Sequence, residues 1–331
     1  MSGRVQKILW SVILLIFFHS LRGQDIHFSQ FWLQPETYNV ADIINEEDIS
    51  FKGTVRDQWL SIPVPYTSRQ FSYAHKLNPN NKDSWLAFGL NLIDDKAGDV
   101  QYSNQSIGLA LTSHIHVDQN YAIRIGMKMN YINRFLDESL VQLGSQFDGE
   151  QFRQGINPFD PALQGQTNYF SYQSGLSVHK LKEGKKDWSL SIAGANLNRP
   201  YTNDVLESVR PIRWSLLGSK MLPISNQTNL ELVGLLQKQL SYHEIQFGVL
   251  QHISLNPFTQ LTVGLSYRTN DALIGYLALQ WNMFKMGLSY DYTLSPLTIA
   301  NNYRGGPEFN IRYTITNVKP LKKNKACCPN Y

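Results

Sequence analysis

The sequence predicts an all-β protein: a transmembrane antiparallel β-barrel of about 14 strands, preceded by an aromatic N-terminal segment that plugs or straps it. Three observations carry this. Apolar residues recur with period two over long runs, several of roughly 9 to 14 residues, where an ordinary strand has about 5–6 and a membrane strand about 9–11. The chain opens with the pattern of an export signal. Charged residues make up only 17 % of the sequence and aromatics 12 %, an unusual balance for a soluble enzyme.

The first element is the leader, residues 1–23. Arg4 and Lys7 form a basic start, Ile8 to Phe18 is apolar, and Leu21-Arg22-Gly23 precedes the expected cut. The apolar run falls well short of the roughly 20 residues that a membrane-spanning helix needs. No cysteine lies near the cut, which argues against a lipid anchor. Without Arg4, Lys7 and Arg22, Lys+Arg falls from 30 to 27 against 26 acids, a formal charge of +1. That balance gives no sign of a basic nucleic-acid-binding stripe.

Residues 24–47 follow. Phe28, Phe31, Trp32 and Tyr38 sit on this stretch without a steady period, so it reads as neither helix nor strand. Lying between the leader and the first strand, it can fold into the lumen as a plug or pack beneath the barrel as a strap.

The barrel is expected over residues 48–318. Its strands are read at 48–59, 67–78, 84–93, 100–113, 121–134, 167–180, 187–197, 209–221, 228–239, 242–253, 260–269, 272–282, 283–292 and 307–318. In the fifth, Ile123, Ile125, Met127, Met129 and Tyr131 alternate with Ala122, Arg124, Gly126, Lys128 and Asn130. Leu86, Phe88, Leu90 and Leu92 alternate likewise, as do Phe309, Ile311 and Tyr313. A soluble sandwich also alternates, with two apolar faces packed together; export and aromatic strand ends favour the barrel, with Arg124, Lys128, Asn130, Arg268, Lys285 and Asp291 lining its lumen. With both termini periplasmic, the long connections 135–166, 198–208 and 293–306 face outward, while 79–83 and 181–186 are short periplasmic turns. A basic periplasmic tail, 319–331, closes the chain. It carries the adjacent Cys327 and Cys328, which are poorly placed to pair with each other.

The residues also carry a family resemblance. QDIHFSQFWLQPETYNVA, with Phe28, Ser29 and Gln30, resembles the QDPxFSQY…PxxxNPA opening of the PorP/SprF family of type IX secretion and gliding proteins of Bacteroidota. RDQWLSIPVPYTSRQFSYAH, through Arg56, Gln58, Trp59, Pro65, Thr67 and Ser72, is similar to its R-x-Q-W block and the P-x-T segment after it. DDKAGDV resembles its D-x-x-G loop through Asp95 and Gly98, and FDPAL, with Asp160 and Pro161, resembles a later landmark. NLNRP at 196–200, SYDYTLSPL at 289–297 and the terminal CPNY continue the match in order. The family's NPA-x-AG is replaced by Asn39-Val40-Ala41-Asp42, and its G-S-H-E turn by Gly306-Pro307-Glu308-Phe309.

The resemblance implies a non-enzymatic outer-membrane component of the type IX machinery. It would need no cofactor or metal, and would bind secretion components, a secreted surface protein, or both. Phe28, Ser29, Gln30, Arg56, Gln58, Trp59, Asp95, Gly98, Asp160 and Pro161 are the candidate partner- or plug-binding residues. The competing readings are a passive or substrate-specific pore and a soluble periplasmic binding module. No G-x-S-x-G or zinc spacing accompanies the histidines. His114-x-His116 lacks a third ligand nearby, and Asp94-Asp95 is expected in a solvated outer loop.

Overall fold

The computed structural model describes residues 27–45, 47–59, 66–77, 84–98, 101–136, 147, 151, 166–182, 185–202, 209–296 and 298–316. The leader, the tail with its two cysteines, and Asp160 and Pro161 lie outside the described residues.

The strands are β1 (Ile49–Gln58), β2 (Tyr66–Lys76), β3 (Ser84–Ala97), β4 (Tyr102–His116), β5 (Tyr121–Phe135), β6 (Thr167–Lys182) and β7 (Lys185–Ala195), then β8 (Arg213–Pro223), β9 (Thr228–Gln239), β10 (Tyr242–Asn256), β11 (Thr259–Arg268), β12 (Ala272–Trp281), β13 (Phe284–Thr293) and β14 (Arg304–Ile315). Each pairs antiparallel with its sequence neighbours, and β1 pairs with β14, from Ile49↔Ile315 to Arg56↔Glu308, to close the barrel. Closure leaves no sheet edge, as lipid requires, because an unpaired backbone group there has no water to bond. No helix among the described residues is long and apolar enough to cross a membrane.

Alternation decides which way each side chain points. On β5, Ile125 and Met127 are 53 % and 68 % exposed, while Ala122, Arg124 and Lys128, at the alternate positions, are buried. The outer surface is thus apolar and the interior polar, the inverse of a water-soluble sheet protein and the pattern of a membrane barrel.

Turns at 117–120, 224–227, 257–258 and 282–283 join strands tightly at one end, while the other end carries the long connections 196–212 and 294–303 beside tight turns at 240–241 and 269–271. The tight turns have local causes. Asp118 Oδ1 accepts from the backbone N–H of Asn120 and Tyr121 at 2.7 and 2.8 Å, and Asn282 takes the left-handed conformation that a two-residue hairpin demands.

All fourteen expected strands are present, with shifted ends. β8 starts at Arg213 and not at 209, because Val209 bridges to Tyr201 within the long connection. β14 starts at Arg304, where Gly305 and Gly306 allow close passage beside Asp291 and Asp57. β3 continues to Ala97, so Asp94 and Asp95 belong to the wall and not to an outer loop. There Asp95 pairs with Asn104, points inward and accepts a 2.5 Å hydrogen bond from Ser68 Oγ.

Before β1 the chain forms a short helix, α1 (Pro35–Tyr38), and a 3-10 turn, Val40–Asp42. Proline sits at the first helical position, where its missing N–H costs nothing, and Asn39 caps the turn by accepting from Ala41 N–H at 2.9 Å. A second short helix, α2 (Thr298–Asn301), lies in the connection before β14.

Candidate functional site

Residues 28–44 are nearly all buried, and what buries them is the inward face of the barrel. The segment runs from the long-loop half, at Ser29, to the short-turn end, where Glu47 meets Arg312 at 2.7 Å. Three sets of contacts hold it.

The first is a charge cluster. Glu308 on β14 accepts from the backbone N–H of Ser29 at 2.6 Å and of Gln30 at 3.0 Å. Ser29 Oγ donates to Asp291 on β13 at 2.6 Å, and Gln30 Nε2 donates to Ser289 Oγ at 3.0 Å. Two guanidinium groups balance the carboxylates: Arg56 reaches Asp291 at 2.8 Å and Glu308 at 3.6 Å, and Arg268 reaches Asp291 at 2.7 Å. Arg56 also donates to the carbonyl of His27 at 3.1 Å. Buried charges survive only when paired and hydrogen-bonded, and here the segment's backbone supplies part of that pairing.

The second set is apolar. Phe31, Leu33 and Tyr38 pack on Leu217, Val233, Leu235, Leu250 and Tyr276, which point into the lumen from β8, β9, β10 and β12. Val40, Ile43 and Ile44 pack on Ala74, Trp85, Ala87 and Ala110 from β2, β3 and β4. Inward apolar patches on a barrel wall would face water without the segment over them.

The third is close approach. A Cβ on Gly126 would lie 2.7 Å from three backbone atoms of Val40 and Ala41, and one on Gly175 would collide with the Asn39 side chain. Gly287 gives room to Gln30 in the same way. Glycine in a strand interior marks such an approach by another backbone. Further bonds run from Lys52 to Glu36 at 2.8 Å, from Gln173 to the Tyr38 carbonyl at 3.1 Å and from Thr112 to the Val40 carbonyl at 2.7 Å.

Near the short-turn end, Asp42, Ser177 and His179 meet. Their arrangement is not that of a nucleophilic triad, in which the two imidazole nitrogens serve acid and nucleophile separately. Here the single atom His179 Nε2 lies 2.9 Å from Ser177 Oγ and 3.0 Å from Asp42 Oδ1, and Ser177 Oγ donates directly to Asp42 at 2.8 Å. The cluster anchors the segment and leaves the serine without a base of its own. His114 stacks on Trp85 at 4.5 Å, and its Nδ1 accepts from Arg124 Nε at 3.1 Å. No group of three His, Cys, Asp or Glu side chains among the described residues could hold a metal.

Of the residues singled out from sequence, Phe28, Ser29, Gln30 and Arg56 come together. Gln58 and Trp59 lie at the long-loop rim, where the Trp59 ring packs edge-on against Tyr66 at 4.9 Å and its backbone N–H donates to the Gly305 carbonyl at 2.8 Å. Asp95 is a wall residue, and Gly98 makes a turn at φ 78°. Glu308, Asn39, Asp42, Gly126 and Gly175 escaped notice as site residues, although glycines in the middle of otherwise regular strands were a usable signal.

The family model for the type IX secretion system membrane protein PorP/SprF matches residues 20–313. The chain belongs to the PorP/SprF family. No curated protein matches it. Among solved structures it resembles CdiB from Acinetobacter baumannii at 11 % identity and a TM-score of 0.45, covering 81 % of this chain and 60 % of that one. It also resembles the CymD monoaromatic hydrocarbon channel at 10 % identity and a TM-score of 0.49, covering 86 % of this chain and 93 % of that one. A Pseudomonas aeruginosa FadL homologue gives 10 % identity and a TM-score of 0.49, covering 84 % and 92 %. This PorP/SprF chain is therefore a secretion-system membrane protein built as a 14-strand barrel.

Proposed function

We propose that this protein is a non-enzymatic outer-membrane scaffold of the type IX secretion and gliding apparatus, exported by a cleaved leader and closed by its own N-terminal segment acting as a plug. The observation that carries the reading is the grip of Glu308 on two successive backbone N–H groups, those of Ser29 and Gln30. Both oxygens of this carboxylate are taken up by the segment's backbone, and Arg56 of β1 supplies its counter-charge. A plugged barrel does not conduct freely, so its work is binding: external loops offer one face to a secreted surface protein, and the periplasmic mouth offers another to the secretion machinery.

Planar-bilayer recording tests the plug. The intact protein is expected to be closed, and deletion of residues 24–46 to open it. A second variant pair covers a deletion that fails to fold. With Cys327 and Cys328 replaced by serine, Thr37→Cys with Gln70→Cys, whose native side chains touch at 3.0 Å, should cross-link and stay closed. Constitutive conductance in the intact protein would favour a passive or substrate-specific pore tuned by Arg124, Lys128 and Arg268. Mass spectrometry of what co-purifies from solubilised membranes tests the partners; secretion components or one large secreted protein are expected.

A further inference from the structure

Between the segment and the short-turn end of the lumen lies a cavity of about 210 Å³. Its apolar side is formed by Trp32, Phe31 and Pro35 of the segment with Leu217, Leu250 and Tyr276 of the wall. Trp32 is half-buried while its neighbours Phe31 and Leu33 are buried, so its indole is what the segment offers to this space. Trp32 and Tyr276 meet edge to face at 5.4 Å.

The opposite side is charged. Lys285 and Arg312 stand directly across from each other on β13 and β14, both pointing inward, and like charges in that relation destabilise a sheet. Arg312 is compensated by Glu47 at 2.7 Å. Lys285 makes no direct hydrogen bond or ion pair among the described residues, and Glu231 acts on it only through space. The direct contacts of the carboxylates lining the cavity go elsewhere: Glu231 to His252 at 3.1 Å and Lys186 at 3.4 Å, and Asp42 to His179 and Ser177.

An aromatic surface on one side and an ammonium group without a contacting carboxylate on the other suit a ligand with a ring and an anionic head. The volume is below the roughly 300–1,000 Å³ that drug-sized ligands fill, which limits the ligand to one ring or a short chain. We infer that this cavity is a binding site for a small aromatic carboxylate, with the ring against Trp32 and Tyr276 and the carboxylate on Lys285. The site rests on the seated N-terminal segment, which forms one of its walls.

Isothermal titration calorimetry on the detergent-purified full chain tests it, with 3-phenylpropanoate as the probe. Binding is expected for the acid and a loss of at least tenfold for 3-phenylpropanamide. Lys285→Gln and Trp32→Ala should each weaken the acid at least tenfold, while the outward-facing Lys238→Gln should not. The amide comparison uses the unaltered protein, so it stands even if a variant folds poorly. Equal affinity for acid and amide, no change in Lys285→Gln, or no heat from any probe overturns the site. Binding of a peptide ending in phenylalanine without binding of the free acid also overturns it, in favour of a chain end as ligand. If the Thr37–Gln70 cross-link forms and the acid still gives no heat, the cavity assignment alone falls and the plug stands.

Discussion

Glu308 and Ser29 are 279 positions apart in the chain, yet the carboxylate of one accepts the backbone N–H of the other at 2.6 Å. The same carboxylate takes the next N–H, that of Gln30, at 3.0 Å, and Arg56 stands 3.6 Å behind it. A single side chain thus joins the last strand, the first strand and the segment that precedes both.

Removing that carboxylate should free the segment. Glu308→Ala leaves two buried N–H groups without an acceptor and a guanidinium short of one counter-charge, a loss of about 3–5 kcal/mol for a broken buried pair. The expected result is thermal unfolding at lower temperature in detergent, together with new protease cleavage between residues 27 and 45. Unchanged unfolding and protection would show that Glu308 does not hold the segment.

Gly126 should tolerate no side chain. The methyl of Gly126→Ala would meet backbone atoms of Val40 and Ala41, which cannot rotate away, and overpacking of this kind costs about 1–3 kcal/mol. Gly275→Ala is the control, since nothing lies within 4 Å of its Cβ position. Chemical denaturation of the two variants side by side should separate them; equal midpoints would argue against close packing at Val40.

Two ion pairs should differ in strength. Lys52 and Glu36 are both buried at 2.8 Å, whereas Lys220, paired with Asp187, is 42 % exposed. A double-mutant cycle with Lys52→Met and Glu36→Gln is expected to give a coupling of about 0.5–3 kcal/mol, and one on the solvent-screened Lys220–Asp187 pair a clearly smaller coupling. Couplings of equal size would mean that the segment is no better shielded from water than the barrel's rim.

Met127 tests the membrane. It is 68 % exposed in the middle of β5, a position where a water-soluble sheet would accept arginine within about 0.5 kcal/mol. On the lipid face near the bilayer midplane, Met127→Arg should cost about 2–4 kcal/mol. Reversible folding into lipid vesicles measures this, and a neutral result would sink the lipid-facing assignment.

Much of the architecture was legible because alternation is local. Whether Met127 faces out and Lys128 in depends only on their being neighbours in a strand, so period two located every strand and both faces. Strand ends were harder, as at Val209 and Asp95, because they depend on what pairs alongside. The candidate site was legible in part. Phe28, Ser29, Gln30 and Arg56 were marked by resemblance and do meet, but the same resemblance also marked Trp59, which packs at the rim, and it touched Glu308 only as part of an altered turn and not as a site residue.

The sequence by itself determined a many-stranded barrel with an apolar exterior, a polar lumen and an aromatic segment ahead of it, all properties carried by residues within a few positions of one another. Only the tertiary structure decided that Glu308 meets Ser29, that Gly126 meets Val40, and that Lys285 stands beside Arg312 without a contacting carboxylate. Those contacts join residues far apart in the chain. Closing the barrel fixes the register of every strand at once, and with it which inward side chains converge on the segment.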